Sequence, residues 1–184
     1  MKNRKRAAGL AALCVAAGAT GAAIAANSAP APRSVTIRER SSVKMVPNRY
    51  LRDGLRWNKD VYTVRSGGTV TVVDNTHGPH TLSVVTRRNL PRNARQMNNC
   101  AACRALGRAH GADFSGNTPP RFQFVENGVG QATPPDLDRP GDSGLTGPGR
   151  PNERIEFRVT AKKGANLYFL CLLHPWMQAE LRVR

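Results

Sequence analysis

The chain has 184 residues, and 28 Lys and Arg against 12 Asp and Glu give it a formal charge of +16. That length fits one domain, and 40% hydrophobic against 22% charged residues excludes a wholly disordered chain. Aromatics make up only 5%, 17 Gly and 13 Pro imply many turns, and a single long apolar stretch excludes a polytopic membrane protein.

Lys2, Arg4, Lys5 and Arg6 precede an uncharged, alanine-rich run from Ala7 to Ala26 that ends in Ala23-Ile24-Ala25. A basic start, an apolar middle and a small-residue exit read as a secretory signal peptide over residues 1–25. The competing reading is an uncleaved membrane anchor, since the run is long enough to span. Leu13 before Cys14 is too large for a lipoprotein signal. Removing residues 1–25 takes four positive charges with it and leaves +12 of the +16. On an exported chain that charge points to acidic protein partners or the anionic cell envelope rather than to nucleic acid.

Residues 26–45 carry Pro, Ser and charge without sustained periodicity and are expected to be a flexible leader, followed by one domain over 46–184. Val61–Arg65 and Thr69–Val73 are β-branched strands around a Ser-Gly-Gly turn, and His80–Val85 is a third strand after the Asp74–Pro79 loop. Asn89–His110 reads as helical, with Pro91 near its start and Gly111 as its stop. Residues 122–125 form a short strand, while the Gly- and Pro-rich 127–152 reads as a long surface loop. Arg154–Thr160 and Ala179–Val183 alternate apolar and polar residues as half-buried strands do, and Leu167–Cys171 reads as a buried strand. These elements make an all-β, mostly antiparallel sandwich with a helical and loop insertion at about 89–152.

Between the last two strands lies Cys171-Leu172-Leu173-His174-Pro175-Trp176-Met177. Spacings of three and three place a thiolate, an imidazole and a thioether on one short loop, and His80 opens a strand after a Gly-Pro turn. Two His, one Cys and a weak axial Met are the donor set of blue-copper electron-transfer sites. Soft sulfur suits Cu(I) and imidazole also accepts Cu(II), so one site serves both oxidation states.

On these residues the chain resembles the cupredoxins, the family of plastocyanin, amicyanin and pseudoazurin. Its C-x2-H-P-x-M loop is most similar to the short loop of amicyanin, with Trp176 at a phenylalanine position. The resemblance implies a Greek-key β-sandwich, one type 1 copper ion, and His80, Cys171, His174 and Met177 as its ligands. Family members commonly carry Asn after the first ligand His; here that residue is Thr81, whose hydroxyl could make the same brace. Leu172, Leu173, Pro175 and Trp176 are expected to form an apolar rim at the His174 edge where a partner docks. His77 is expected beside the site without ligating.

Cys100 and Cys103 offer two readings. Export favours a local disulfide, whereas a second metal could use both thiols with His110. Either way Cys171 is left as an odd thiol that needs a role. The functional expectation is an exported, monomeric carrier of single electrons between redox proteins, acidic partners included. The alternative is a periplasmic or extracellular copper-binding or chaperone protein without a dedicated electron-transfer role; the small number of Met and His residues argues against a copper store and only weakly against a single-site chaperone. An enzyme is not expected, because no His-x-His pair is present to build further copper centres.

Overall fold

The computed structural model describes residues 29–76, 78–113, 118–147 and 153–184. The export segment expected over 1–25 and the expectation for His77 lie outside the described residues. No described helix is long and apolar enough to cross a membrane.

The chain runs through β1 (Ser34–Arg40), β2 (Val43–Val46), β3 (Tyr50–Asp53), β4 (Arg56–Trp57), β5 (Val61–Val64), β6 (Thr69–Val73) and β7 (Thr81–Val85). A 3-10 turn at Arg87–Asn89 leads to α1 (Ala94–Asn98) and α2 (Ala101–Ala109). Then come β8 (Phe124–Glu126), β9 (Val129–Gln131), β10 (Asp136–Leu137), β11 (Ser143–Leu145), β12 (Arg154–Val159), β13 (Asn166–Leu170) and β14 (Gln178–Val183). One sheet has the order β10-β12-β6-β1-β4, the other β5-β14-β13-β7-β11-β8-β9, and β2-β3 is a separate hairpin. Most pairings are antiparallel, with parallel ones at β1–β6, β10–β12 and β14–β5.

Inward residues of both sheets make the core. Ile37, Val70, Val72, Ile155, Phe157 and Val159 from one sheet meet Tyr62, Leu82, Val84, Phe169 and Leu181 from the other. The period-two pattern of β12 is strict, with Ile155, Phe157 and Val159 buried and Arg154, Glu156 and Arg158 exposed. Trp57 meets Phe169 edge-on with ring centroids 5.7 Å apart.

Two segments differ from their expectation. The leader expected over 26–45 holds β1 and β2; β1 pairs in parallel with β6 from Ser34↔Thr69 to Arg38↔Val73. Its alternation is regular, but Glu39 occupies an inward position beside Ile37, and a buried acid hides the strand pattern. The surface loop expected over 127–152 contains β11, whose Ser143, Gly144 and Leu145 are all buried between β7 and β8. Gly144 lies so close to the Phe157 ring that a side chain there would collide with it.

The insertion is helical, in two pieces. Asn93 caps α1 by accepting from the Gln96 amide at 3.0 Å, and Gly111 ends α2 with φ of 79°. α2 buries Cys103 and Leu106 against Val85, Val125, Leu170 and Leu172, a second small core on the outer face of the seven-stranded sheet.

Candidate metal centre

β13 runs antiparallel to β7, with Leu170 opposite Ser83. The residue after β13 and the residue before β7 therefore meet at one end of the sheet, and these are Cys171 and His80. The loop from Cys171 closes on itself: Cys171 N–H donates to Met177 O at 3.0 Å, and Met177 N–H to His174 O at 2.8 Å. That turn brings His174 back over the sulfur and keeps Met177 wholly buried in the core cluster that holds Cys171. His80 is pinned on its other side, its amide donating to Thr146 Oγ1 at 3.0 Å and its carbonyl accepting from Thr146 N–H at 2.8 Å.

Cys171 Sγ lies 3.7 Å from His80 Nδ1 and 3.7 Å from His174 Nδ1. The donor atoms of all three residues lie within 4.8 Å of one another. Nitrogen and sulfur held at roughly 2.0–2.3 Å from one ion in a trigonal array stand about 3.6 Å apart, so the spacing fits a single bound ion. The two imidazole rings are 4.8 Å apart and tilted by 34°.

Protonation fits the same role. Burial, with the neighbouring His174, lowers His80 to about 4, and burial lowers His174 as well. Both rings are neutral at neutral pH. The His80 tautomer follows from its far side: Thr76 O–H donates to Asp74 at 3.0 Å, so His80 Nε2–H donates to Thr76 Oγ1 at 2.9 Å. Nδ1 then keeps a lone pair facing the sulfur, as a metal-ligating His braced by an outer hydrogen bond does. Burial pushes the Cys171 thiol up to about 11, opposed chiefly by the Thr81 amide. A cation must displace that proton to bind.

Thr81 braces the Cys171 loop twice. Its N–H points at Cys171 Sγ at 3.4 Å, and its hydroxyl accepts from the Leu172 amide at 2.8 Å. The hydroxyl thus supplies the tie that joins the His80 strand to the Cys171 loop.

The apolar rim is smaller than expected. Leu172 and Pro175 are buried, Leu173 is half-buried, and Trp176 alone is exposed, at 41%. The cause is the helical insertion, whose Cys100, Cys103 and Leu106 pack on Leu172. Gln178 clamps the two together by donating to both Pro91 O and Pro175 O at 2.7 Å. Trp176 stands edge-on to His174 with ring centroids 5.2 Å apart.

Cys100 and Cys103 are joined by a disulfide, and Cys171 is the free thiol. His110 faces away from that pair, its Nδ1 lying 2.8 Å from Phe122 O and its Nε2 2.9 Å from Ser143 Oγ. The three are not arranged as a second metal site.

Glu39 escaped the sequence reading. It is 1% exposed, its Oε2 lies 3.8 Å from His80 Nε2, and neither carboxyl oxygen has a hydrogen-bond partner. Burial, with Asp74 beside it, raises Glu39 to about 10, so it is a neutral acid. Asp74 instead accepts from Thr76 N–H, Thr76 O–H and Thr146 O–H. No one-residue signal separates Glu39 from the charged residues around it in the sequence.

No protein-family model and no curated protein matches the chain. Among solved structures it is similar to a dithionite-reduced auracyanin from Roseiflexus castenholzii, at 17% identity and a TM-score of 0.44, over 84% of this chain and 99% of that one. Auracyanin A from Chloroflexus aurantiacus, described as a blue copper protein, aligns at 19% identity and 0.41 over 82% and 99%. A purple cupredoxin from Nitrosopumilus maritimus aligns at 11% identity and 0.41 over 81% and 98%. Each likeness is distant.

Proposed function

We propose that the chain is a type 1 copper protein that carries single electrons between redox partners, with His80, Cys171, His174 and Met177 as the ligands. The observation that carries this reading is one buried sulfur with two imidazole Nδ1 atoms each 3.7 Å away. Bound copper supplies a one-electron couple there, and no other part of the chemistry needs a substrate.

The chain's own residues do the rest. The hydrogen bonds of His80 to Thr146 and Thr76, and of the Cys171 loop to itself, hold the donors before any ion arrives, which keeps rearrangement between oxidation states small. The Thr81 amide directed at the sulfur draws electron density from it and so favours the reduced state. Burial of His80, Cys171 and Met177 excludes water. His174 and the exposed Trp176 edge are the route to a partner.

Arg92, Arg95, Arg104 and Arg108 are exposed on the insertion, Arg104 beside Trp176, and no acid occurs between 87 and 112. Such a face orients an acidic redox protein over Trp176, and a rim of charge acts mainly on the rate of encounter. It also permits peripheral contact with an anionic envelope. Export rests on residues 1–25, and the carrier works as a monomer without substrate turnover.

The test is a visible spectrum of the protein from residue 26 onward, loaded with one Cu(II). An intense thiolate-to-copper charge-transfer band is expected, and Cys171→Ser removes it. A colourless copper complex, or colour retained by the Ser variant, refutes the ligand assignment.

A further inference from the structure

α2 ends at His110, an imidazole 2% exposed that the copper reading leaves without a role. It is the far end of a continuous line of buried polar groups. Phe122 O can only accept, so His110 Nδ1–H donates to it at 2.8 Å and fixes the ring. Nε2 lies 2.9 Å from Ser143 Oγ, and Ser143 Oγ lies 2.6 Å from Ser83 Oγ. Ser83 Oγ lies 3.0 Å from Thr81 Oγ1, and the same Thr81 oxygen accepts the Leu172 amide next to Cys171. Ser83, Ser143 and Thr81 are all buried.

We propose that His110 is a positioning residue for the copper thiolate, acting through Ser143, Ser83 and Thr81. A hydroxyl has one proton to give, so the sense of each link constrains the next: Ser143 O–H serves His110 Nε2, Ser83 O–H serves Ser143 and Thr81 O–H serves Ser83, and buried chains of this kind strengthen cooperatively. Thr81 is where the line reaches the site: its amide points at Cys171 Sγ and its hydroxyl holds the Leu172 amide. The line crosses from the insertion through β11 to β7, so the insertion's C-terminal end sets how firmly the sulfur is braced. Hydrogen bonding at the Cys sulfur tunes the potential of such a site.

The electrochemical arm rests on the copper reading; the structural arm does not. Ser83→Ala and Ser143→Ala each remove one hydroxyl with little change of volume, and His110→Gln keeps a polar end group. In the metal-free protein, the Leu172 and Thr81 amides of both Ser variants are expected to exchange with solvent several-fold faster than in the parent. In the copper protein, both are expected to stay blue with the reduction potential moved down. The double variant should move it by less than the two shifts summed, because one line is broken twice. His110→Gln should fall between these and the parent.

The control is Cys100→Ser with Cys103→Ser, which loosens the first turn of α2 beside Leu172 while the imidazole and every hydroxyl of the line stay in place. Unchanged Leu172 exchange together with an unchanged potential in folded Ser variants overturns the proposal. So does a cysteine double variant that reproduces both effects, since that response is merely structural. A protein that never turns blue refutes the copper reading, and the exchange rates of the metal-free chain still decide this one.

Discussion

His80 and His110 are both buried imidazoles, 1% and 2% exposed, with lowered basicity from burial, yet the chain uses them in opposite ways. At His80 the outer nitrogen is satisfied by Thr76, and the inner one faces the Cys171 sulfur. At His110 one nitrogen is taken by a carbonyl and the other by a hydroxyl, and among the described residues it joins no metal-ligating group. Burial and a neutral ring are therefore common to both; the geometry of the second nitrogen sets them apart. The surroundings differ in the same sense. His80 sits at a strand end, whereas His110 closes a helix laid over the sheet.

The largest expected effect breaks this comparison directly. His80→Ala should abolish the charge-transfer band, while His110→Phe should leave a blue protein with a shifted potential. A copper titration followed by absorbance checks both, and equal losses of colour would show that the two imidazoles are not distinct in role. Next in size is Met177→Gln, which should keep copper and colour but lower the reduction potential, because a harder oxygen donor favours Cu(II). Complete loss of copper binding would mean that Met177 is not a weak axial donor.

The residues of the candidate site were legible in the sequence because they sit at strand ends in short local patterns: Gly78-Pro79-His80 before β7 and Cys171 to Met177 between β13 and β14. The strands with β-branched alternation were legible for the same reason. What was not legible depends on contacts between distant segments. β1 conceals itself by placing Glu39 inward, and only Asp74 and His80, far along the chain, make sense of that acid. Ser143-Gly144-Leu145 has no β-branched residue, and its burial comes from strands on both sides. Leu172 looked like docking surface until the helix packed on it. The line from His110 to Thr81 joins three segments of the chain, so no single stretch reveals it.

Glu39 sharpens the comparison on the His80 side. Its carboxyl is raised from 4.5 to about 10 by burial, so the folded chain keeps a proton that the unfolded chain releases. Stability of the metal-free protein should then decline as pH rises between those values, at up to about 1.4 kcal/mol per pH unit for one proton. Glu39→Gln cannot ionise and should flatten that slope. Denaturant titrations from pH 5 to pH 9 check this; parallel slopes for parent and variant would mean that Glu39 is ionised in the fold.

The smallest expected effect lies on the His110 side, at the other end of α2. Cys100 is the N-cap of that helix, its Sγ accepting from the Cys103 amide at 3.1 Å, and the disulfide closes only the first turn. So short a loop restricts the unfolded chain little, and the chain-entropy relation gives about 2 kcal/mol for it. Apoprotein from residue 26 onward, unfolded without reductant, should titrate with the single thiol of Cys171; reduction should add those of Cys100 and Cys103. Cys100→Ser with Cys103→Ser should lose stability of that order while the blue band stays, because the sulfur and both imidazoles are held by β7, β13 and their loops. Bleaching in that double variant would mean that the disulfide turn, rather than the strand ends, holds the ligand loop in place.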